Sequence, residues 1–249
     1  MNIEEDWEFD ALGIYNYKKH GEKYGFFNYI KQNCFSINGD ICEAGVFNGS
    51  SLLATGLLLK ELGSEKQVYG YDTFEGFPPV YDPNDDLEKF DDLFKQEVID
   101  KDHYSAVKKN IKIRSFVTKK NIDISNISSS GSFVCTSLKS IQDKINLLGL
   151  DNVHLVKGTF EGTMNSSQTP PKSIMAALLD CDLYQSYKTA LPFIWPRMSE
   201  GGYVFLDEYY SLKFPGARIA TNEFFQDKQH KPQKHAHIHG EFERWFLKK

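Results

Sequence analysis

The sequence predicts an α/β fold built on a mostly parallel sheet, and three observations carry that expectation. First, apolar runs of strand length end in acids: Ile174 to Leu179 precedes Asp180-Cys181-Asp182, and residues 203–206 precede Asp207-Glu208. Buried parallel strands read as such runs, and ligands bind beyond their carboxyl ends. Second, an apolar segment over 40–45 leads into a Gly/Asn/Ser turn, a long apolar helix over 50–62 closed by Gly63, and another strand over 67–72. Strand, tight turn, helix, strand is how a Rossmann-like sheet begins. Third, 249 residues with 41% hydrophobic and 14% aromatic side chains suit one large domain with a sizeable core.

The remaining elements follow in order. Residues 3–33 alternate aromatics and charges at helical spacing, predicting one or two helices in an N-terminal extension over 1–38. Residues 82–132 are dense in Asp, Glu, Lys and Phe after Pro78-Pro79 and read as a helical or loop insertion, a lid over the sheet edge. Within it, 121–132 is polar and Ser-rich, the pattern of a mobile loop. A helix over 137–148, a strand over 153–157, a strand over 174–180, a helix over 184–198, a strand over 203–207 and a helix over 214–227 with Pro215 at its start come next. Residues 235–247 alternate around His239-Gly240 and read as a closing antiparallel hairpin. The sum is a seven-stranded sheet with helices on both faces, in a single domain over 1–249.

Composition narrows the function. Net charge is −5 and the pI about 5.8, so no basic field recruits nucleic acid or anionic membrane. Short basic pairs such as Lys108-Lys109 and Lys119-Lys120 fit a solvated face. Cys34, Cys42, Cys135 and Cys181 form no Cys-x-x-Cys pair and read as buried thiols in a reducing compartment. The acidic start lacks the basic and apolar regions of a signal peptide, and no apolar run approaches the ~20 residues of a membrane span. A cytoplasmic protein is expected. Trp7, Tyr15, Tyr17 and Tyr24 are candidates for core contacts, a homo-oligomer surface or sugar stacking.

The turn reads Glu43-x-Gly45-x-x-x-Gly49-x-Ser51. Glycines let backbone approach a ligand over the strand end. Phe47 stands where a dinucleotide fingerprint has its second glycine, which favours a ligand without phosphates. Asp72 ends the next strand, placed to accept hydrogen bonds from ribose hydroxyls or to cap a helix. Turn and acid together favour a nucleoside pocket. The acids at the ends of the two later strands repel one another unless a cation or proton lies between them, so a hard divalent metal site is expected there.

These residues resemble a known family. Glu43-Ala44-Gly45-Val46-Phe47-Asn48-Gly49-Ser50, Tyr71-Asp72-Thr73-Phe74-Glu75-Gly76-Phe77-Pro78, Asp180-Cys181-Asp182-Leu183-Tyr184, Asp207-Glu208-Tyr209 and Gly216-Ala217-Arg218 are similar to the macrocin O-methyltransferase (TylF-type) family of class I S-adenosylmethionine-dependent enzymes. The resemblance implies a Mg²⁺-dependent transfer of methyl to a hydroxyl of a sugar or glycosylated small molecule. It implies that Glu43, Gly45, Asn48, Gly49 and Ser50 surround the methionine part of the donor. Asp72 with Thr73 and Phe74 would hold the ribose, and Gly158, Thr159 and Phe160 the adenine. Asp180, Asp207 and Glu208 would hold the metal, with Asp182 as general base. At Glu208 the chain departs from the family's usual Asp, and 82–132 matches poorly.

Mg²⁺ on those acids would fix two substrate oxygens and favour the alkoxide, and Asp182 would accept the proton. Asp182 could instead cap the helix beginning near Tyr184. Two other functions are consistent with parts of the sequence. Asp180-Cys181-Asp182 is also the Asp-x-Asp of metal-dependent glycosyltransferases, and a non-catalytic S-adenosylmethionine-binding protein would tolerate Glu208. His230, His235, His237 and His239 cluster near the end and read as exposed hairpin residues rather than ligands.

Overall fold

The computed structural model describes residues 1–236 and 242–249. Its sheet has the order β3-β2-β1-β4-β5-β7-β6. The strands are β1 (Asp40–Ala44), β2 (Val68–Asp72), β3 (Val153–Lys157), β4 (Ile174–Leu179), β5 (Met198–Leu206), β6 (Gln233–Lys234) and β7 (Trp245–Lys248). The first five pair in parallel, and β7 runs antiparallel to both β5 and β6. The expected seven-stranded arrangement and closing hairpin are present, although the His239-Gly240 turn lies outside the described residues. Strand order reverses between β1 and β4, so a crevice opens at their carboxyl ends.

Burial explains the elements. All six residues of β4 are buried, as a central strand covered on both faces requires. One face is covered by α1 (Asp6–Leu12), α2 (Tyr24–Asn33), α3 (Ser50–Glu61) and α6 (Leu138–Leu148). There Phe26, Phe27 and Ile30 join Leu52, Leu53 and Phe205 in one cluster, so the leading helices are part of the main core. Tyr17 is buried edge-on to Phe9 and Tyr15 stacks on Phe27 at 5.0 Å, whereas Trp7 is 67% exposed. The other face is covered by α8 (Tyr184–Arg197) and α9 (Pro215–Phe225), through Tyr187, Leu191, Ala217 and Phe225. Pro215 opens α9 at its first turn, where a missing N–H is harmless. A one-turn helix, α7 (Phe160–Thr163), follows β3 and is absent from the sequence pattern because four residues show no period.

The insertion is helical, with α4 (Lys89–Lys95) and α5 (Lys101–Thr118). Its Ser-rich end is a loop, as expected, and is anchored by packing and hydrogen bonds. Ile124 and Ile127 pack with Leu183 and Phe214, and the Arg114 guanidinium donates to the carbonyls of Asn126 and Ser128 at 3.2 and 3.0 Å. Two apolar side chains and one arginine outweigh a polar composition. Cys34, Cys42 and Cys181 are buried as expected, but Cys135 is exposed. No helix among the described residues is long and apolar enough to cross a membrane.

Helix α8 has no cap from its own preceding residue, Leu183. Asp85, in a 3-10 turn of the insertion (Pro83–Asp85), supplies one: the Tyr184 N–H donates to its Oδ1 at 2.8 Å. The cap thus ties the insertion to the strand-end side of the sheet. Asp85 is only 1% exposed, and burial pushes its carboxyl up to about 7, with the Tyr184 N–H working in the opposite direction. An unfolded carboxyl ionises near ~4, so the stability this group contributes is full below that and declines as pH rises through the folded value. Asp85→Asn retains an acceptor and removes the titration. Its thermal midpoint should fall less between about pH 5 and about pH 8 than that of wild type. Equal slopes in circular-dichroism melts would exclude Asp85 as their source.

Candidate active site

The crevice at the β1/β4 reversal is a cavity of about 900 Å³. Its floor is the turn after β1. Gly45 adopts φ +88°, and a Cβ there would sit 1.9 Å from the Asp180 carbonyl oxygen, so the turn lies directly against the end of β4. Asp180 in turn donates its N–H to the Ala44 carbonyl at 2.9 Å. Phe47 takes φ 51°, a costly conformation for a ring-bearing residue. Its ring meets Phe133 edge-on at 5.1 Å, and the Thr136 hydroxyl donates to its carbonyl.

Asp72 clasps this turn. Its Oδ2 accepts the N–H groups of Val46 and Phe47 at 2.8 and 2.9 Å, and its Oδ1 accepts that of Phe74 at 2.6 Å. The side chain expected at a ribose is therefore first a brace for the glycine turn, with remaining acceptor capacity toward the cavity it lines.

Most sequence-predicted residues meet on the cavity wall. Gly45, Asn48, Ser50, Asp72 and Thr73 line one side, and Thr159 and Phe160, at the start of α7, line it further along. Asp180, Asp182, Asp207 and Glu208 line the same cavity. Glu43, Gly49, Phe74 and Gly158 are not among the lining residues and lie behind it. Gly49 is the left-handed residue that starts α3. Glu43 is 1% exposed beneath the turn, with Oε1 accepting the Ser51 hydroxyl at 2.7 Å and Oε2 without a partner. Burial pushes its carboxyl up to about 8, against the lowering effect of Ser51.

One carboxylate oxygen from each of Asp180, Asp207 and Glu208 lies within 4.8 Å of the others. Burial, reinforced by Asp182, drives Glu208 well above the usual carboxylate range. Burial and then Asp180 do the same to Asp182. Asp207 is lowered instead, because Lys23 and Arg244 outweigh its burial. The protein's own cations thus leave part of this cluster uncompensated. Three converging hard oxygens and an excess of negative charge fit a divalent cation of the Mg²⁺ class.

Asp182 adopts φ 59°, in the tight bend between β4 and α8 where the Leu183 N–H returns to the Cys181 carbonyl at 2.6 Å. Since Asp85 caps α8, the capping role considered for Asp182 is filled from elsewhere. Tyr187 braces Glu208, its hydroxyl 3.2 Å from Oε2 and 3.0 Å from the Leu179 carbonyl. Tyr187, Lys213, Arg244 and above all Lys23 were not singled out from sequence. Each stands outside the motifs, and no local spacing announces a contact made across the fold.

The histidine expectation is corrected for His235. It is not an exposed hairpin residue but sits 2.5 Å from the Tyr203 hydroxyl and packs on Phe246 at 4.5 Å. Ring packing on β5 and β7 draws it inward. His230 packs edge-on to Trp195, while His237 and His239 lie outside the described residues.

Comparison with known proteins agrees with this architecture. The mycinamicin III 3''-O-methyltransferase of Micromonospora griseorubida is 27% identical over 193 residues, covering 76% of this chain and 61% of that protein. The 8-demethyl-8-(2,3-dimethoxy-alpha-L-rhamnosyl)-tetracenomycin-C 4'-O-methyltransferase of Streptomyces olivaceus is 26% identical over 176 residues, covering 70% of this chain and 54% of that one. The matches therefore span somewhat over half the length of these relatives. Among solved structures, the O-methyltransferase NovP superposes with a TM-score of 0.62 at 17% identity, covering 97% of this chain and 79% of NovP. The calicheamicin methyltransferase CalS11 superposes at 0.57 with 19% identity, covering 97% and 77%. The sequence profile of macrocin-O-methyltransferase (TylF) matches residues 28–113 and 117–244, and the chain belongs to that family.

Proposed function

We propose that the protein is an S-adenosylmethionine- and Mg²⁺-dependent O-methyltransferase acting on a hydroxyl of a sugar or glycosylated small molecule. The observation that carries this reading is the single cavity wall on which the glycine turn of β1 faces the carboxylates ending β4 and β5. Family membership adds the reaction type, and the name of the Streptomyces olivaceus relative specifies a rhamnosyl-bearing substrate.

The donor supplies an activated methyl on a sulfonium. The turn at Gly45, braced by Asp72, admits the methionine part close to backbone, with Asn48 and Ser50 at its edge. Thr73 borders the ribose region, and Thr159 and Phe160 border the base. Glu43, Gly49, Phe74 and Gly158 shape this wall from behind. Asp180, Asp207 and Glu208 would hold a Mg²⁺, which would supply Lewis acidity. Asp182 accepts the hydroxyl proton on its carboxylate, and the fold orients the acceptor in line with the transferred group. Phe77 and Tyr81 contribute apolar lining on which a sugar could pack.

Chelation is the direct test. Turnover of labelled S-adenosylmethionine should be lost in EDTA and restored by Mg²⁺, while calorimetric donor affinity changes little. Full turnover in EDTA would remove the metal. Binding of UDP-sugars in place of S-adenosylmethionine would instead favour glycosyl transfer.

A further inference from the structure

Two of the three carboxylates assigned to the metal already have a cation. Lys23, the residue before α2, is 8% exposed and lines the cavity. Its Nζ lies 3.0 Å from Asp180 Oδ2 and 3.7 Å from both Asp207 Oδ1 and Glu22 Oε1. The placement is held from several sides. The Lys23 N–H donates to the Tyr15 hydroxyl at 3.1 Å, and its carbonyl accepts the N–H groups of Phe26 and Phe27 in the first turn of α2. Arg244 adds a second cation, 3.5 Å from Asp207 Oδ1 and 3.1 Å from Glu22 Oε2.

A lysine buried only for stability would be an inefficient choice. Desolvating an ammonium costs more than an apolar side chain of similar volume, and the partners here are themselves buried. The ammonium also lies within 3.7 Å of oxygens on two of the three residues assigned to the metal.

We infer that Lys23 is the built-in counter-ion of the carboxylate cluster: it compensates Asp180 and Asp207 in the metal-free protein and, by its charge, weakens the hold of the cluster on a divalent cation. The inference rests on the metal assignment made above. Its consequence is a site that folds without metal and exchanges it, instead of a permanently loaded one. A charge within a few ångströms of a divalent ion matters even at water-like dielectric, so removing it should tighten Mg²⁺ binding about tenfold.

The experiment compares full-length wild type, Lys23→Met, Lys23→Gln and Lys23→Arg after chelation and dialysis. MgCl₂ is titrated calorimetrically, and thermal midpoints are recorded with and without it. Lys23→Met and Lys23→Gln should melt lower than wild type without metal, bind Mg²⁺ about tenfold more tightly, and show a larger Mg²⁺-induced rise in midpoint. Lys23→Arg, which keeps the charge, should stay near wild type. Lys23→Gln retains a donor toward Asp180 and stands in if the Met variant does not fold. Equal or weaker Mg²⁺ binding by the uncharged variants would overturn the inference and make Lys23 an orienting residue, leaving the metal assignment intact. No Mg²⁺ binding by any of the four proteins would overturn both.

Discussion

Asp182→Asn is expected to lower turnover by about 10²–10⁴-fold, the usual contribution of a positioned general base, with S-adenosylmethionine affinity within about twofold of wild type. The substitution suits this position because the backbone there is left-handed, at φ 59°. Asn and Asp tolerate that region better than other residues, so the amide removes the proton acceptor without adding strain. Alanine would confound the two effects. Asp182 lines the cavity beside the carboxylates that end β4 and β5, so unchanged donor binding should report intact architecture. Initial rates with labelled donor, beside calorimetry, separate the outcomes. A variant retaining more than about a tenth of wild-type turnover would exclude Asp182 as the base.

Gly45→Ala should be the most damaging glycine-to-alanine change among the described residues. A Cβ at this residue would lie 1.9 Å from the Asp180 carbonyl oxygen and 2.6 Å from its carbonyl carbon, both backbone atoms that cannot rotate away. The φ of +88° adds conformational strain, of the order of 1–3 kcal/mol even without a clash. Parting the two strand ends would disturb the turn that Asp72 braces and the carboxylate of Asp180 together. A total loss of about 4 kcal/mol or more is expected in urea denaturation, accompanied by loss of donor binding. Gly63→Ala is the matched control: its φ is +67° but nothing lies within 4 Å of the added carbon. It should cost about 1 kcal/mol and leave donor binding unchanged. Similar losses at both positions would show that backbone strain, not the contact between β1 and β4, sets the cost.

Much of the architecture was legible locally. The apolar run before Asp180 became β4, buried at every position, and the run before Asp207 became the inner half of β5. The glycine turn and the acids of both strands converged on one cavity, as strand-end placement requires. What the pattern missed has a common origin. Asp72 lines the cavity, and the bonds its oxygens also accept from three backbone N–H groups of two neighbouring loops have no local signature. The burial of Glu43 beneath the turn, where it accepts the Ser51 hydroxyl, likewise depends on packing across the fold. Exposure went the other way for Cys135, which lies at the surface, and for His235, which ring packing on Phe246 draws inward.

The order of strands, the turn and the identity of the acids are written in the sequence by itself, since period, apolar run length and glycine placement are properties of neighbouring residues. The electrostatic state of the cluster belongs to the tertiary structure alone. Lys23 and Arg244 reach Asp180 and Asp207 from opposite ends of the chain, and Asp85 caps α8 from within the insertion. Burial makes each of these charges costly without its partner, and only the folded chain decides which partners meet.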